Sequence, residues 1–203
     1  MSNSAALGVS RETSARLEVY VDLLKKWNPR INLVAKSTVS DVWRRHVADS
    51  AQLHELAPHP VDHWADLGSG GGFPGLVIAI LAKEFDSPSN VTLVESDSRK
   101  CAFLRTVARE TDLAVTVVND RVENLPHLGC DVVTARALTD LSTLLSYAHA
   151  NLRVGGMALF PKGVTWKKEL AEAQQKWKFE HHEVKSVTED GPVILRITGV
   201  SRV

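Results

Sequence analysis

Cysteine is scarce in this sequence: two in 203 residues are too few for a disulfide scaffold. Cys101 and Cys130 lie in apolar stretches, with no CxxC and no metal-ligand spacing around them. They are expected as buried, reduced thiols, and no metal site is expected. Long hydrophobic runs are missing as well. The longest, Leu76 to Ala82, falls far short of the about 20 residues that a membrane span requires. Met1 to Ser10 has neither a basic n-region nor an apolar h-region, which predicts no leader peptide and a cytoplasmic place of work. An excess of either charge is also absent, since 24 Lys and Arg face 24 Asp and Glu. Nucleic-acid binders usually carry a basic surplus, so any RNA contact must come from local clusters, and neither DNA nor membrane binding is expected. No repeat or low-complexity tract occurs. What remains is one domain, 1–203, whose 44% hydrophobic content supports a substantial core, with a monomer as the default state.

The first sixty residues read as a helical extension. Leu17, Tyr20, Leu24 and Trp27 share one helix face, and Asn28-Pro29 is expected to end that helix. Ser40 is a plausible N-cap for a second helix carrying Val42, Trp43 and Val47. From residue 61 the pattern changes. Short apolar runs at His63–Leu67, Val91–Glu95, Val115–Asn119, Asp131–Ala135 and Met157–Pro161 alternate with helical segments near Pro74–Lys83, Ser98–Glu110 and Asp140–Leu152. Such alternation indicates a parallel sheet covered on both faces. After a helical Trp166–Trp177, the extended segments Phe179–Val187 and Val193–Val200 are joined only by Glu189-Asp190-Gly191-Pro192. That link is too short for a crossover helix, so the sheet should end in an antiparallel hairpin.

The central motif is Asp66-Leu67-Gly68-Ser69-Gly70-Gly71-Gly72-Phe73-Pro74-Gly75, between a strand and a helix. Its glycines permit a tight turn and close approach to a ligand, and Pro74 suits a first helical turn. The helix N-terminus is free to meet an anionic group. Glu95, ending the second strand, can accept both hydroxyl hydrogens of a ribose. Loop and acid together point to a nucleoside-containing cofactor. The Gly68-x-Gly70-x-Gly72 spacing, the preceding Asp66 and the terminal hairpin resemble class I S-adenosylmethionine-dependent methyltransferases, a Rossmann-like fold of seven mostly parallel strands, over residues 61–203.

Further motifs narrow the resemblance. They are Trp27-Asn28, Asn32-Leu33, Arg45-His46-x-x-Asp49-Ser50, Phe73-Pro74-Gly75, Glu95-Ser96, Arg99-Lys100, Phe103-Leu104, Arg121-Val122-Glu123, Ala135-Arg136-Ala137 and Lys162-Gly163. In this order they resemble the bacterial Rsm G family, also called glucose-inhibited division protein B. The family methylates N7 of one guanine in the decoding-region hairpin of 16S ribosomal RNA. The resemblance implies S-adenosylmethionine as cofactor, and 16S rRNA, the small subunit or its assembly intermediate as partner. It implies that Gly68, Ser69, Gly70 and Phe73 line the cofactor pocket, Glu95 holds the ribose, and Val122 and Glu123 lie against the adenine. It also puts Arg136 at the mouth of the active site, with positioning roles for Arg45 and His46. Thr134 stands where a serine is common in the family, and keeps the hydroxyl.

Guanine N7 has a lone pair and no proton, so its methylation needs no general base, only alignment with the methyl donor. Because N7 lies on an edge that A-form RNA hides, the target base must be in a loop or splayed out. Asp49, three residues after His46, is expected to fix that imidazole. The lysines at 162, 167, 168, 176 and 178 read as a solvated helix face, Arg44 and Arg45 as possible phosphate contacts, and His181 and His182 as surface residues. Three other readings compete. A small-molecule methyltransferase would leave the N-terminal motifs unexplained. An NAD-dependent oxidoreductase would need an all-parallel sheet and a pyrophosphate site. A non-catalytic ribosome-assembly protein would have no use for Glu95, Arg136 and an intact glycine loop.

Overall fold

The structure is a computed structural model that describes residues 7–188 and 190–203. The stretch read as lacking a leader lies largely outside the described residues, as does Glu189 of the hairpin link.

Helix α1 runs Arg11–Ile31, started by Ser10, whose hydroxyl accepts from the Thr13 N–H. Its apolar face buries Leu17, Tyr20, Val21 and Leu24. Asn28-Pro29 does not end it, contrary to the sequence expectation: Pro29 lies inside the last turn. One proline near a C-terminus removes a single donor, and the stop comes from Asn32 in the left-handed region (φ 45°). The following segment is one rod of three pitches: a 3-10 turn Lys36–Asp41, a π-helix Trp43–Ala48, and α2, Asp49–Leu56. Ser40 is therefore inside the 3-10 turn and not an N-cap.

The remaining chain alternates strands and helices: β1 His63–Leu67, α3 Gly75–Phe85, β2 Asn90–Val94, α4 Ser98–Glu110, β3 Val115–Val118, β4 Cys130–Thr134, α5 Leu141–Asn151, β5 Leu152–Lys162, α6 Trp166–Ala173, β6 Trp177–Lys185 and β7 Val193–Arg202. The sheet order is β3-β2-β1-β4-β5-β7-β6. The first five strands pair in parallel, and β7 pairs antiparallel with both β5 and β6. The expected hairpin is present, but β6 ends at Lys185, so its link spans residues 186–192 where four residues had been expected. The late helix is shorter than expected, because Trp177 belongs to β6.

Parallel strands buried on both faces explain the unbroken apolar runs. Trp64, Val132, Met157 and Leu159 face a core shared with α1, α3 and α4, while Ala65, Val133, Ala158 and Phe160 face one shared with α5 and α6. The helical extension contributes Leu17, Tyr20, Leu24, Leu33, Val34, Val42, Val47 and Leu53 to the first core. It is therefore packed against the sheet's helical layer. Both cysteines are buried and unpaired, as expected. Among the described residues, no helix is long and apolar enough to cross a membrane, and no cluster of His, Cys, Asp and Glu is arranged to hold a metal ion.

Candidate active site

The site forms at the C-terminal ends of β1, β2 and β4, where the strand order reverses and α/β sheets open a crevice. The loop after β1 turns through Gly68, Gly70 and Gly72, all at positive φ. At Gly75 the constraint is space: an added Cβ would sit 2.3 Å from Leu93 and 2.8 Å from the Asp66 carboxylate. That closeness lets the Gly75 N–H donate to Asp66 Oδ2 at 3.2 Å. The N-terminus of α3, expected to be free for an anionic ligand, is thus occupied by the chain's own carboxylate. Asp66 is fully buried and its pKa is pushed up to about 6 by desolvation. Thr134 donates to its Oδ1 at 2.9 Å and accepts from the Trp64 indole at 3.1 Å, so the hydroxyl noted in the sequence ties β4 to β1.

A cleft of about 540 Å³ opens beside this loop. Its walls include Gly68, Ser69, Gly70, Phe73, Glu95, Val122, Glu123 and Arg136, which the sequence analysis nominated. Glu95 is only 7% exposed and accepts from the Gly70 N–H (2.9 Å) and the Asp97 N–H (2.8 Å). A carboxylate has about four lone-pair positions, so two stay open to a diol. Glu123 accepts from the Tyr147 hydroxyl at 2.5 Å. This contact holds the Glu123 carboxyl below its ordinary range, while desolvation and Glu123 push Tyr147 up to about 12. The volume lies in the usual range for small-ligand sites. With apolar walls at Leu33, Val34, Phe73 and Val122, and the buried Glu95 carboxylate open to a diol, the cleft suits a nucleoside.

Apart from His46, the sequence reading missed the extension's part in this cleft. Leu33, Val34 and Ala35 form one of its walls. The Asn28 side chain holds them, its Oδ1 accepting from the Leu33 N–H at 2.7 Å and the Val34 N–H at 2.9 Å. The Tyr20 hydroxyl donates to the Gly71 carbonyl at 2.5 Å. Leu33 packs so close to Gly71 that a Cβ there would lie 3.1 Å from its carbonyl oxygen. The Trp27-Asn28 and Asn32-Leu33 motifs were the available signal.

Arg136, His46 and Asp49 meet at the cleft's mouth. The Arg136 guanidinium donates to Asp49 Oδ2 (3.3 Å), the Arg45 carbonyl (3.3 Å) and His46 Nδ1 (2.6 Å). Its carbon lies 5.3 Å from the centre of the Phe73 ring, on which His46 stacks at 5.0 Å. Because an arginine can only donate, Nδ1 must be the acceptor and Nε2–H faces Thr38 Oγ1 at 2.8 Å. Burial, then the charges of Arg136 and Arg45, push the His46 pKa down to about 3. Asp49 does not bond His46, contrary to expectation: both residues turn to Arg136. Arg44 and Arg45 part company too. Arg44 donates to the Thr188 carbonyl in the hairpin link, a contact within the chain where phosphate had been considered. Of the lysine run, Lys162 is nearly buried and pairs with Glu169 at 2.5 Å. His182 is exposed and His181 half-buried, both on β6.

Fold, glycine loop and cleft together define a class I S-adenosylmethionine-dependent methyltransferase. A putative S-adenosylmethionine-dependent methyltransferase from Methanococcus maripaludis superposes over 90% of this chain and 93% of its own with a TM-score of 0.59, at 13% identity. The particular family is shown by sequence. Residues 13–194 match the GidB family, described as rRNA small subunit methyltransferase G, and the chain belongs to it. Two relatives bear the name ribosomal RNA small subunit methyltransferase G. The one from Ruegeria pomeroyi is 54% identical and that from Ruegeria sp. (strain TM1040) 53%, each over 97% of this chain and 96% of the relative.

Proposed function

We propose that this enzyme transfers the methyl group of S-adenosylmethionine to N7 of a guanine in the decoding-region hairpin of 16S rRNA, acting as a cytoplasmic monomer on the small subunit or its assembly intermediate. The cofactor, when bound, supplies an electrophilic methyl carbon on a sulfonium. Glu95 accepts the ribose hydroxyls while Gly70 and Asp97 N–H groups fix its carboxylate. Val122 and Glu123 meet the adenine, and Gly68, Ser69 and Phe73 the remaining length of the cleft.

The observation that favours N7 is the state of His46. Its Nδ1 lone pair accepts from Arg136, and burial keeps the ring neutral far below physiological pH. It cannot take a proton from an acceptor, and an acceptor such as guanine N7 has none to give. Arg136 and the Arg45-His46 segment then serve by placement, which is where most of the rate in such a reaction arises. Asp49 offsets the Arg136 charge, which suits a site where a purine ring becomes cationic.

The test is transfer of radiolabelled methyl from S-adenosylmethionine to small subunits, large subunits and bulk tRNA, with nucleoside analysis. The expected product is 7-methylguanosine with small subunits or their RNA alone. Label on another atom overturns the N7 reading, and label only on small molecules overturns the RNA reading.

A further inference from the structure

A second cavity, of about 370 Å³, adjoins the cofactor cleft and shares His46, Arg136 and Ala137 with it. Its other walls come from distant parts of the chain: Asp49 at the start of α2, Lys162 and Glu169 at β5 and α6, and Ser186, Thr188 and Pro192 around the hairpin link. We infer that Asp49 is the positioning residue of this acceptor-side chamber: anchored by the hairpin link, it holds Arg136 in one arrangement. The inference rests on the N7 reading above.

The Asp49 carboxylate is half of two linkages. Oδ2 takes the Arg136 guanidinium at 3.3 Å. Oδ1 accepts from Thr188 Oγ1 at 3.0 Å, Ser186 Oγ at 3.3 Å and Gln52 Nε2 at 2.9 Å. Gln52 continues the link, its Oε1 accepting from the Val187 N–H at 3.2 Å. Arg44 pins the same residues through the Thr188 carbonyl. Three consecutive residues of the link are thus tied to the helical extension. The carboxylate side chain is 16% exposed and that of Arg136 19%, so the pair lies mostly out of water, where charge and direction matter more than at a surface.

Two consequences follow. An arginine has many rotamers, and this one is held by Asp49, the Arg45 carbonyl and His46 together. Removing Asp49 takes away the carboxylate of this trio and leaves the guanidinium two neutral acceptors, the Arg45 carbonyl and His46. The pair also has no net charge, so the cation that forms on the methylated purine meets a neutral wall. Without Asp49 it meets an unopposed arginine. Both effects act through Arg136, at the mouth of the cofactor cleft, and leave Glu95, Glu123 and the glycine loop in place.

A double-mutant cycle separates this role from simple support of the fold. The assay is methyl transfer to small subunits, with cofactor affinity from calorimetry and folding from thermal melting. Asp49→Ala should lower kcat by about tenfold or more, while the affinity for S-adenosylmethionine changes by less than about twofold. Combined with Arg136→Ala, the same change should cost less than about twofold further, because its target is gone. Asp49→Asn, which keeps the shape and removes the charge, should also lower kcat, and it carries the cycle if the alanine variant does not fold. Kcat losses that multiply in the double variant overturn the inference, as does a folded Asp49→Asn with wild-type kcat. A wild-type enzyme that makes no 7-methylguanosine overturns the N7 reading instead, and the cycle on its actual product still decides the role of Asp49.

Discussion

Replacing Asn28 by alanine tests whether the helical extension builds the cofactor cleft. The Asn28 Oδ1 is the acceptor for the buried N–H groups of Leu33 and Val34. A buried donor left without a partner costs about 1–3 kcal/mol, so two cost about 2–6 kcal/mol. The segment borders a cleft that water can enter, and rehydration returns part of that, leaving about 2–4 kcal/mol. A domain of ordinary stability, about 5–15 kcal/mol, stays folded after such a loss. The second consequence is functional, since Leu33, Val34 and Ala35 form a wall of the cleft. Their release should weaken cofactor binding by about tenfold, equivalent to about 1.4 kcal/mol. Urea denaturation measures the first effect and calorimetry with S-adenosylmethionine the second. Asn28→Asp keeps the acceptor and should recover much of both. A stability loss below about 1 kcal/mol, or an alanine variant that binds cofactor as the wild type does, would show that the wall stands without Asn28.

Glu95→Ala should weaken S-adenosylmethionine binding by about 1.5–3 kcal/mol, the range for hydrogen bonds to a charged group; unchanged affinity in calorimetry refutes the ribose assignment. His46 should titrate near 3 in the folded protein, followed through its ring resonances by NMR, and a midpoint near 6.5 contradicts the Arg136 contact. Because the unfolded chain takes up that proton first, the His46 contribution to stability is full above about 6.5 and is lost as pH falls from there toward about 3.

Much of the layout was readable because each signal was local. The apolar runs of β1 to β5 and the helix over 98–110 follow from period and length alone, as does the hairpin, although its link spans residues 186–192 and not the four read from the sequence. Glycines 68, 70 and 72 announced a loop that turns through positive φ. The misreadings arose where distant residues decide. Pro29 was read as a stop because proline is a local signal, whereas the left-handed turn at Asn32, whose N–H still donates to the Asn28 carbonyl, leaves no mark on the helical period. The N-terminus of α3 was read as open because the proximity of Asp66 to Gly75 depends on the packing of β1 under α3. The Arg136 cluster joins residues about ninety positions apart, which no window on the sequence spans. The resemblance placed Arg136, Arg45 and His46 together, but not which of them bonds to which.

The π-helix at Trp43–Ala48 has a meaning beyond its shape. A π turn is an α-helix carrying one residue too many, and its persistence in a folded chain usually marks a function. One residue corresponds to about 100° of rotation in an α-helix. Shortening this stretch by a single residue would leave every bond in the sheet untouched. It would nonetheless turn His46 away from Arg136, or Asp49 away from the hairpin link, since the two sides of the turn could no longer both keep their facing. The geometry at the mouth of this enzyme is therefore set by a count: an insertion or deletion here is a change of aim, and the chemistry depends on the spacing between Val42 and Asp49 as much as on what the residues between them are.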